Sequence, residues 1–121
     1  MKLDAFAVAL PEYPWLPPVR PFQAWSSAAP TETLDWYCAY NQTKHDREDA
    51  FAAATLERAV ASVCGGVALL AAQYGIPYGL GQRTSLSDQF AIVAAPQWTP
   101  ADVYIYPYDR AVGWQPINFQ F

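Results

Sequence analysis

Six prolines fall between residues 11 and 30: Pro11, Pro14, Pro17, Pro18, Pro21 and Pro30. Each lacks a backbone N–H and has its φ locked, so no helix can run through this stretch. Extended or polyproline geometry is favoured instead. Trp15, Phe22 and Trp25 are interleaved with the prolines. That mixture predicts a strap laid over the surface of the rest of the chain, not a free linker. Pro17-Pro18-Val19-Arg20-Pro21 also has the form of a ligand for a proline-binding module, a weaker reading because the pattern is common.

The 121 residues suit one domain over 1–121 with a modest core. Charged residues are only 15% of the chain, against about a quarter in ordinary globular domains. With 53% hydrophobic residues, disorder is excluded, and two readings stay open: burial of some apolar surface by a partner, or an ordinary core with a sticky surface. Net charge is −4 and no Lys/Arg-rich run exists, which argues against duplex-DNA binding. Cys38 and Cys64 are too few for a disulfide framework and lack zinc-ligand spacing. Free thiols in a reducing cytoplasm are expected, with a Cys38–Cys64 bridge as the alternative if the helices carrying them face each other. The short apolar run at the N-terminus is interrupted by Asp4 and followed by prolines, so a signal peptide is not expected.

Along the chain, residues 5–10 read as a short strand. A first helix is expected to start near Pro30-Thr31, with Thr31 as its cap and Glu32 and Asp35 at the positive end of its dipole. Leu34, Tyr37, Cys38 and Asn41 fall on one side of it, and it ends near Lys44 or His45. After a connection that is polar and then alanine-rich, Thr55 caps a second helix. Its residues Leu56, Ala59, Val60, Val63, Val67 and Leu70 recur at spacings of three and four. Ala61, Ser62, Gly65, Gly66 and Ala68 form another face that lets a neighbour approach closely. No charge occurs from Ala59 to Gln82, and Gly75 and Pro77 end the helix. Its apolar part is shorter than the ~20 residues of a membrane span, so a core helix buried on most sides is expected. Beyond it, Phe90–Ala94 and Val103–Tyr108 read as short strands among loops. The expected class is α+β: a buried antiparallel helical hairpin over 31–75, an extended proline-rich segment over 1–30, and loops with short strands over 76–121.

The lone histidine, His45, sits in Asn41-Gln42-Thr43-Lys44-His45-Asp46-Arg47. A histidine titrates near neutrality and can move protons. Lys44 and Arg47 can hold a phosphate, and Asn41, one turn before His45, can orient a substrate. This set suits metal-independent cleavage of a phosphodiester by its own 2′-hydroxyl. The alternative is a helix end and solvated turn, with the basic groups complementing the helix dipole and Asp46 and Asp49 capping the turn. Neither a cofactor nor a metal is expected. A Cys38–His45 pair is disfavoured, because seven residues of helix separate them by ~10 Å.

The run Trp36–Arg47, followed by Phe51 and Ala54-Thr55-Leu56, resembles uncharacterised bacterial proteins with a Tyr-Asn-x-x-Lys-His-x-Arg signature and a second apolar helix. Those are similar to the HEPN superfamily (higher eukaryotes and prokaryotes nucleotide-binding). The resemblance covers residues 34–74 or so. It implies a helical, dimeric, cytoplasmic protein that binds or cleaves RNA, of toxin or phage-defence type, with Asn41, Lys44, His45 and Arg47 at the site. The pattern departs from catalytic HEPN nucleases in one respect. They carry an arginine four to six residues before the histidine, whereas here Asn41 stands four before His45 and no arginine lies between Arg20 and Arg47. A non-enzymatic protein–protein interaction or assembly module is the rival expectation, resting on the aromatic and proline surplus, the small-residue helix face and the low charge.

Overall fold

The computed structural model describes residues 2–76, 80 and 85–97. The strand expected at Val103–Tyr108 lies outside them. The chain is α+β. A 3-10 turn, Leu3–Ala5, leads into strand β1, Ala7–Ala9. Helix α1 spans Asp35–His45 and helix α2 spans Leu56–Tyr74, with a 3-10 turn at Phe51–Ala53 between them. A short helix α3, Ser85–Gln89, precedes strand β2, Ala91–Ala94.

β1 and β2 pair antiparallel, with Ala7 opposite Ala94, Val8 opposite Ile92 and Ala9 opposite Ala91. Val93 is the extra residue that this register leaves in β2, a bulge that turns it outward, and it is half exposed. On its other edge Val8 exchanges two backbone bonds of 2.8 Å with Val19. Val8 is therefore held on both sides, and it is fully buried.

The proline-rich segment is not a continuous extended strap, as expected, but a run of turns. Backbone bonds close Leu10–Tyr13, Tyr13–Leu16, Arg20–Gln23 and Ala29–Glu32. The second residue of each turn is a proline: Pro11, Pro14, Pro21 and Pro30. A fixed φ near −65° suits that position, and the missing N–H is not needed there. Pro17 and Pro18 carry the chain straight into the Val19 bridge. Phe22 and Pro21 are buried, whereas Trp15 and Trp25 are exposed.

The turn at Pro30 also displaces the start of α1. Thr31 does not cap it. Thr33 is taken up instead, its hydroxyl accepting from the Ser26 N–H at 3.1 Å and donating to the Ala29 carbonyl at 3.2 Å. α1 then begins at Asp35 behind Leu34, which has no polar cap to offer but buries its side chain in the core. The end at His45 is where the basic residues placed it. Thr55 caps α2 as expected, its hydroxyl accepting from the Arg58 N–H at 3.3 Å. At the other end Gly75 takes φ 77°, the left-handed region a glycine enters without steric cost.

The core gathers Phe6, Val8, Phe22, Leu34 and Leu80 against Cys64, Val67, Ala68 and Ala71 of α2. α2 is not buried on most sides. Of its 19 residues, only Cys64, Gly65, Val67, Ala68 and Ala71 are buried. Leu56, Val63, Leu69, Leu70 and Tyr74 are all at least 40% exposed. The buried side is thus the small-residue side. Aromatic rings from elsewhere in the chain supply the volume, so the helix must offer little of its own.

Cys38 and Cys64 are free thiols. Burial pushes the Cys64 thiol up from its ordinary value to about 11. A thiol raised in this way contributes stability that is whole below its unfolded pKa and is lost as the pH climbs through the folded value. At pH 8 a thiol reagent is therefore expected to modify Cys38 in the native protein and Cys64 only on unfolding. Equal rates for the two thiols in native protein would contradict the burial of Cys64.

Candidate functional site

α1 ends in a turn closed on itself. Asp46 donates its N–H to the Gln42 carbonyl at 2.9 Å, and its carboxylate Oδ1 accepts from the Asp49 N–H at 3.2 Å. This is the carboxylate-capped turn expected as the alternative to a catalytic arrangement. His45 is the last helical residue and is exposed, as are Lys44 and Arg47, while Asn41 is half-buried. Asn41 and His45 share a helix face one turn apart. The Lys44 ammonium lies 5.9 Å from the centre of the Tyr40 ring, a cation–π contact along the helix. Among the described residues, no hydrogen bond joins the side chains of Asn41, Lys44, His45 and Arg47 to one another. Glu48 and Asp49 stand exposed beside them and dilute the local positive field.

Two clefts among the described residues lie elsewhere, where α1 meets α2. One, of about 310 Å³, is lined by Asp35, Trp36, Thr55, Glu57, Arg58 and Ala61. An adjoining apolar groove of about 390 Å³ runs between Ala39, Tyr40 and Thr43 of α1 and Ala59, Ser62 and Val63 of α2. None of the four candidate residues lines either one. Among the described residues, no three His, Cys, Asp or Glu side chains gather as a metal ion requires.

The first cleft is built on a fork that the sequence did not single out. Arg58 donates from Nε to Asp35 Oδ2 at 2.8 Å and from Nη2 to Oδ1 at 2.9 Å, and its Nη1 reaches the Ala53 carbonyl at 3.0 Å. One guanidinium thereby ties the first residue of α1 to the first turn of α2 and to the loop before it. Every nitrogen of the group is engaged within the chain, so Arg58 acts here as a staple and not as a free anion receptor. Nothing in the spacing of residues 35 and 58 marks the pair, because it depends on how the helices are set against each other.

Hydrogen bonding from Arg58 holds the Asp35 carboxyl below its ordinary 3.8. A depressed carboxyl contributes stability above its unfolded pKa and loses it as the pH falls through the folded value. The pair is exposed to solvent, so the effect is small. Asp35→Asn is expected to lower the urea midpoint at pH 7, and the difference from wild type should shrink as the pH falls below the ordinary carboxyl value of 3.8. A difference independent of pH would mean that the ion pair is not its source.

Trp36 fixes the other side of the joint. Its indole N–H donates to the Pro21 carbonyl at 2.7 Å, and its ring stands edge-on to Phe22 with centres 5.9 Å apart. The ring covers Gly65, which has no side chain to displace it. Here, then, the described structure concentrates specific contacts: proline turn, α1 and α2 meet at one indole.

Comparison with known protein families, with curated proteins and with solved structures finds no match. The functional reading therefore rests on the geometry above and on the sequence.

Proposed function

We propose that this chain is a non-enzymatic assembly module that works as a homodimer. The observation that carries this reading is the stripe of Leu56, Val63, Leu70 and Tyr74 along α2, each at least 40% exposed beside the side of the helix that holds the core. Contiguous apolar surface of this kind marks an interaction site in a soluble protein. The four candidate catalytic residues favour the same conclusion. Lys44, His45 and Arg47 stand exposed at a helix end, and none of the four lines either cleft at the α1–α2 joint. The module is taken as one cytoplasmic domain over 1–121, with α1 and α2 as its antiparallel hairpin and the proline turns laid over them. Light scattering on the full chain is expected to give twice the 13.4 kDa of one copy. A monomer at every concentration would remove the dimeric reading.

A HEPN-like RNA-binding or RNA-cleaving protein is the second reading. It is supported by the accessible grouping of Lys44, His45 and Arg47 at the end of α1, with Asn41 one turn before. In it His45 moves the proton, Lys44 and Arg47 hold phosphate charge, and Asn41 positions the sugar. Single-stranded RNA incubated with wild type and with His45→Ala separates the two. The assembly reading expects both to leave the RNA intact. Cleavage by wild type that His45→Ala abolishes would establish the nuclease instead.

A further inference from the structure

We propose that the outer face of α2 is the dimer interface, pairing antiparallel with the same face of a second copy across Leu56, Ala59, Val63, Gly66 and Leu70. This inference rests on the assembly reading and gives it a surface. The steps between the five residues are three, four, three and four. That is the spacing at which one helix keeps contact with another over several turns. All five are exposed, Leu56 at 81%, Val63 at 51% and Leu70 at 40%.

The sizes of the residues select the antiparallel sense. With the two-fold axis between Val63 and Gly66, each Val63 faces the Gly66 of the partner subunit and each Leu70 faces the partner subunit's Ala59. Val63 and Leu70 then meet small residues, and Leu56 lies against the partner subunit's Gln73. A parallel pairing would set Gly66 against its own copy and leave a gap. The space around Gly66 is open, with no atom within 4 Å of where a Cβ would sit. A partner's valine can therefore approach the backbone closely.

Charge and area agree with a second copy as the occupant. The chain carries −4 overall, yet no charge occurs from Ala59 to Gln82. Two copies thus meet on this face without like charges opposed. The exposed parts of Leu56, Val63, Leu70 and Tyr74, with Tyr40 at the groove, amount to roughly 500 Å² of apolar surface when a fully exposed aromatic counts about 200 Å². That is the larger part of the about 800 Å² that a stable dimer buries on each side. α2 is also, by length and composition, a helix that can cross a membrane. Insertion would have to strip Cys64, Val67, Ala68 and Ala71 from Phe6, Val8 and Phe22, so a protein partner preserves the core and a bilayer does not.

Sedimentation of the full chain tests the proposal. Val63→Glu and Leu70→Glu are expected to weaken dimerisation by at least about 100-fold, some 2.7 kcal/mol, while the far-ultraviolet circular dichroism stays that of wild type. The exposed Trp15→Glu is expected to leave the dimer unchanged. A second measurement is independent of these variants. Oxidising an equimolar mixture of Val63→Cys and Gly66→Cys chains, both carrying Cys38→Ala, should give the mixed disulfide at well over twice the amount of either symmetric one, twice being the ratio that random pairing produces. A wild-type dimer insensitive to both glutamates, or a mixed disulfide at or below the random ratio, overturns this interface and leaves the assembly reading standing. A wild-type monomer overturns both. A monomer that floats with phosphatidylcholine vesicles overturns both in favour of a lipid surface.

Discussion

Phe6→Ala is expected to cost about 3–5 kcal/mol, which would bring a chain of this size close to unfolding at room temperature. Phe6 is fully buried, and it packs on the side of α2 made of Cys64, Val67, Ala68 and Ala71. Those residues are small and anchored in a helix, so they cannot move in to fill the space left by a lost ring. The neighbouring bulk comes from Phe22, whose own position is set by Trp36 and the turn at Pro21. The residual cavity therefore stays open, and cavity volume adds to the lost transfer energy. Phe6→Leu keeps most of the volume and should cost less than half as much. Urea unfolding followed by tryptophan fluorescence measures both. A Phe6→Ala loss below about 1 kcal/mol would mean that this ring is not a central part of the core.

The two adjacent glycines of α2 are expected to respond to substitution with opposite signs. A Cβ at Gly65 would lie 3.2 Å from Trp36 Cζ2, 3.4 Å from Cη2 and 3.7 Å from the Phe22 ring. The indole cannot easily withdraw, because its N–H is tied to the Pro21 carbonyl at 2.7 Å. Gly65→Val adds branches at that point and is expected to cost about 1–3 kcal/mol despite the better helix propensity of valine. Gly66 is exposed, and a Cβ there meets nothing within 4 Å. In chains held monomeric by Val63→Glu, where no partner valine seats on this glycine, Gly66→Ala should gain about 0.5–1 kcal/mol, from the conformational entropy that glycine loses on entering a helix. Thermal melts of the two variants, each in the Val63→Glu background, give the signs directly. Gains of equal size at both positions would show that Trp36 does not seat on Gly65.

These two positions mark where legibility ends. Thr55 and Gly75 were readable as the ends of α2 because a cap and a left-handed terminus are local chemistry. The basic end of α1 was readable for the same reason. The α1 start was not, since Pro30 and Thr33 entered a turn with Ser26 and Ala29 that competes with helix over the same residues. The large apolar residues of α2 pointed to the buried side by periodicity, yet Leu56, Val63 and Leu70 face outward and Gly65 and Ala68 face in. Periodicity finds stripes on a helix, but an all-apolar helix has more than one, and which is covered depends on the shape of what packs against it. At the candidate site the same division holds. Spacing placed Asn41 and His45 on one face, but no spacing could reveal Arg58 gripping Asp35 from 23 residues away.

What the amino-acid sequence by itself determined is the set of local interruptions and caps: prolines that bar a helix from residues 11–30, Thr55 opening α2, Gly75 closing it, and basic residues at the end of α1. Each follows from a dihedral or a hydrogen bond within a few residues. What only the tertiary structure decided is orientation. It chose the small-residue side of α2 for the core because Phe6, Phe22 and Trp36 already supply the volume. It left the larger side chains at heptad spacing on the outside, and it held His45 on an open helix end. The reason is that burial is a property of pairs of surfaces, and one strand of sequence carries only one member of each pair.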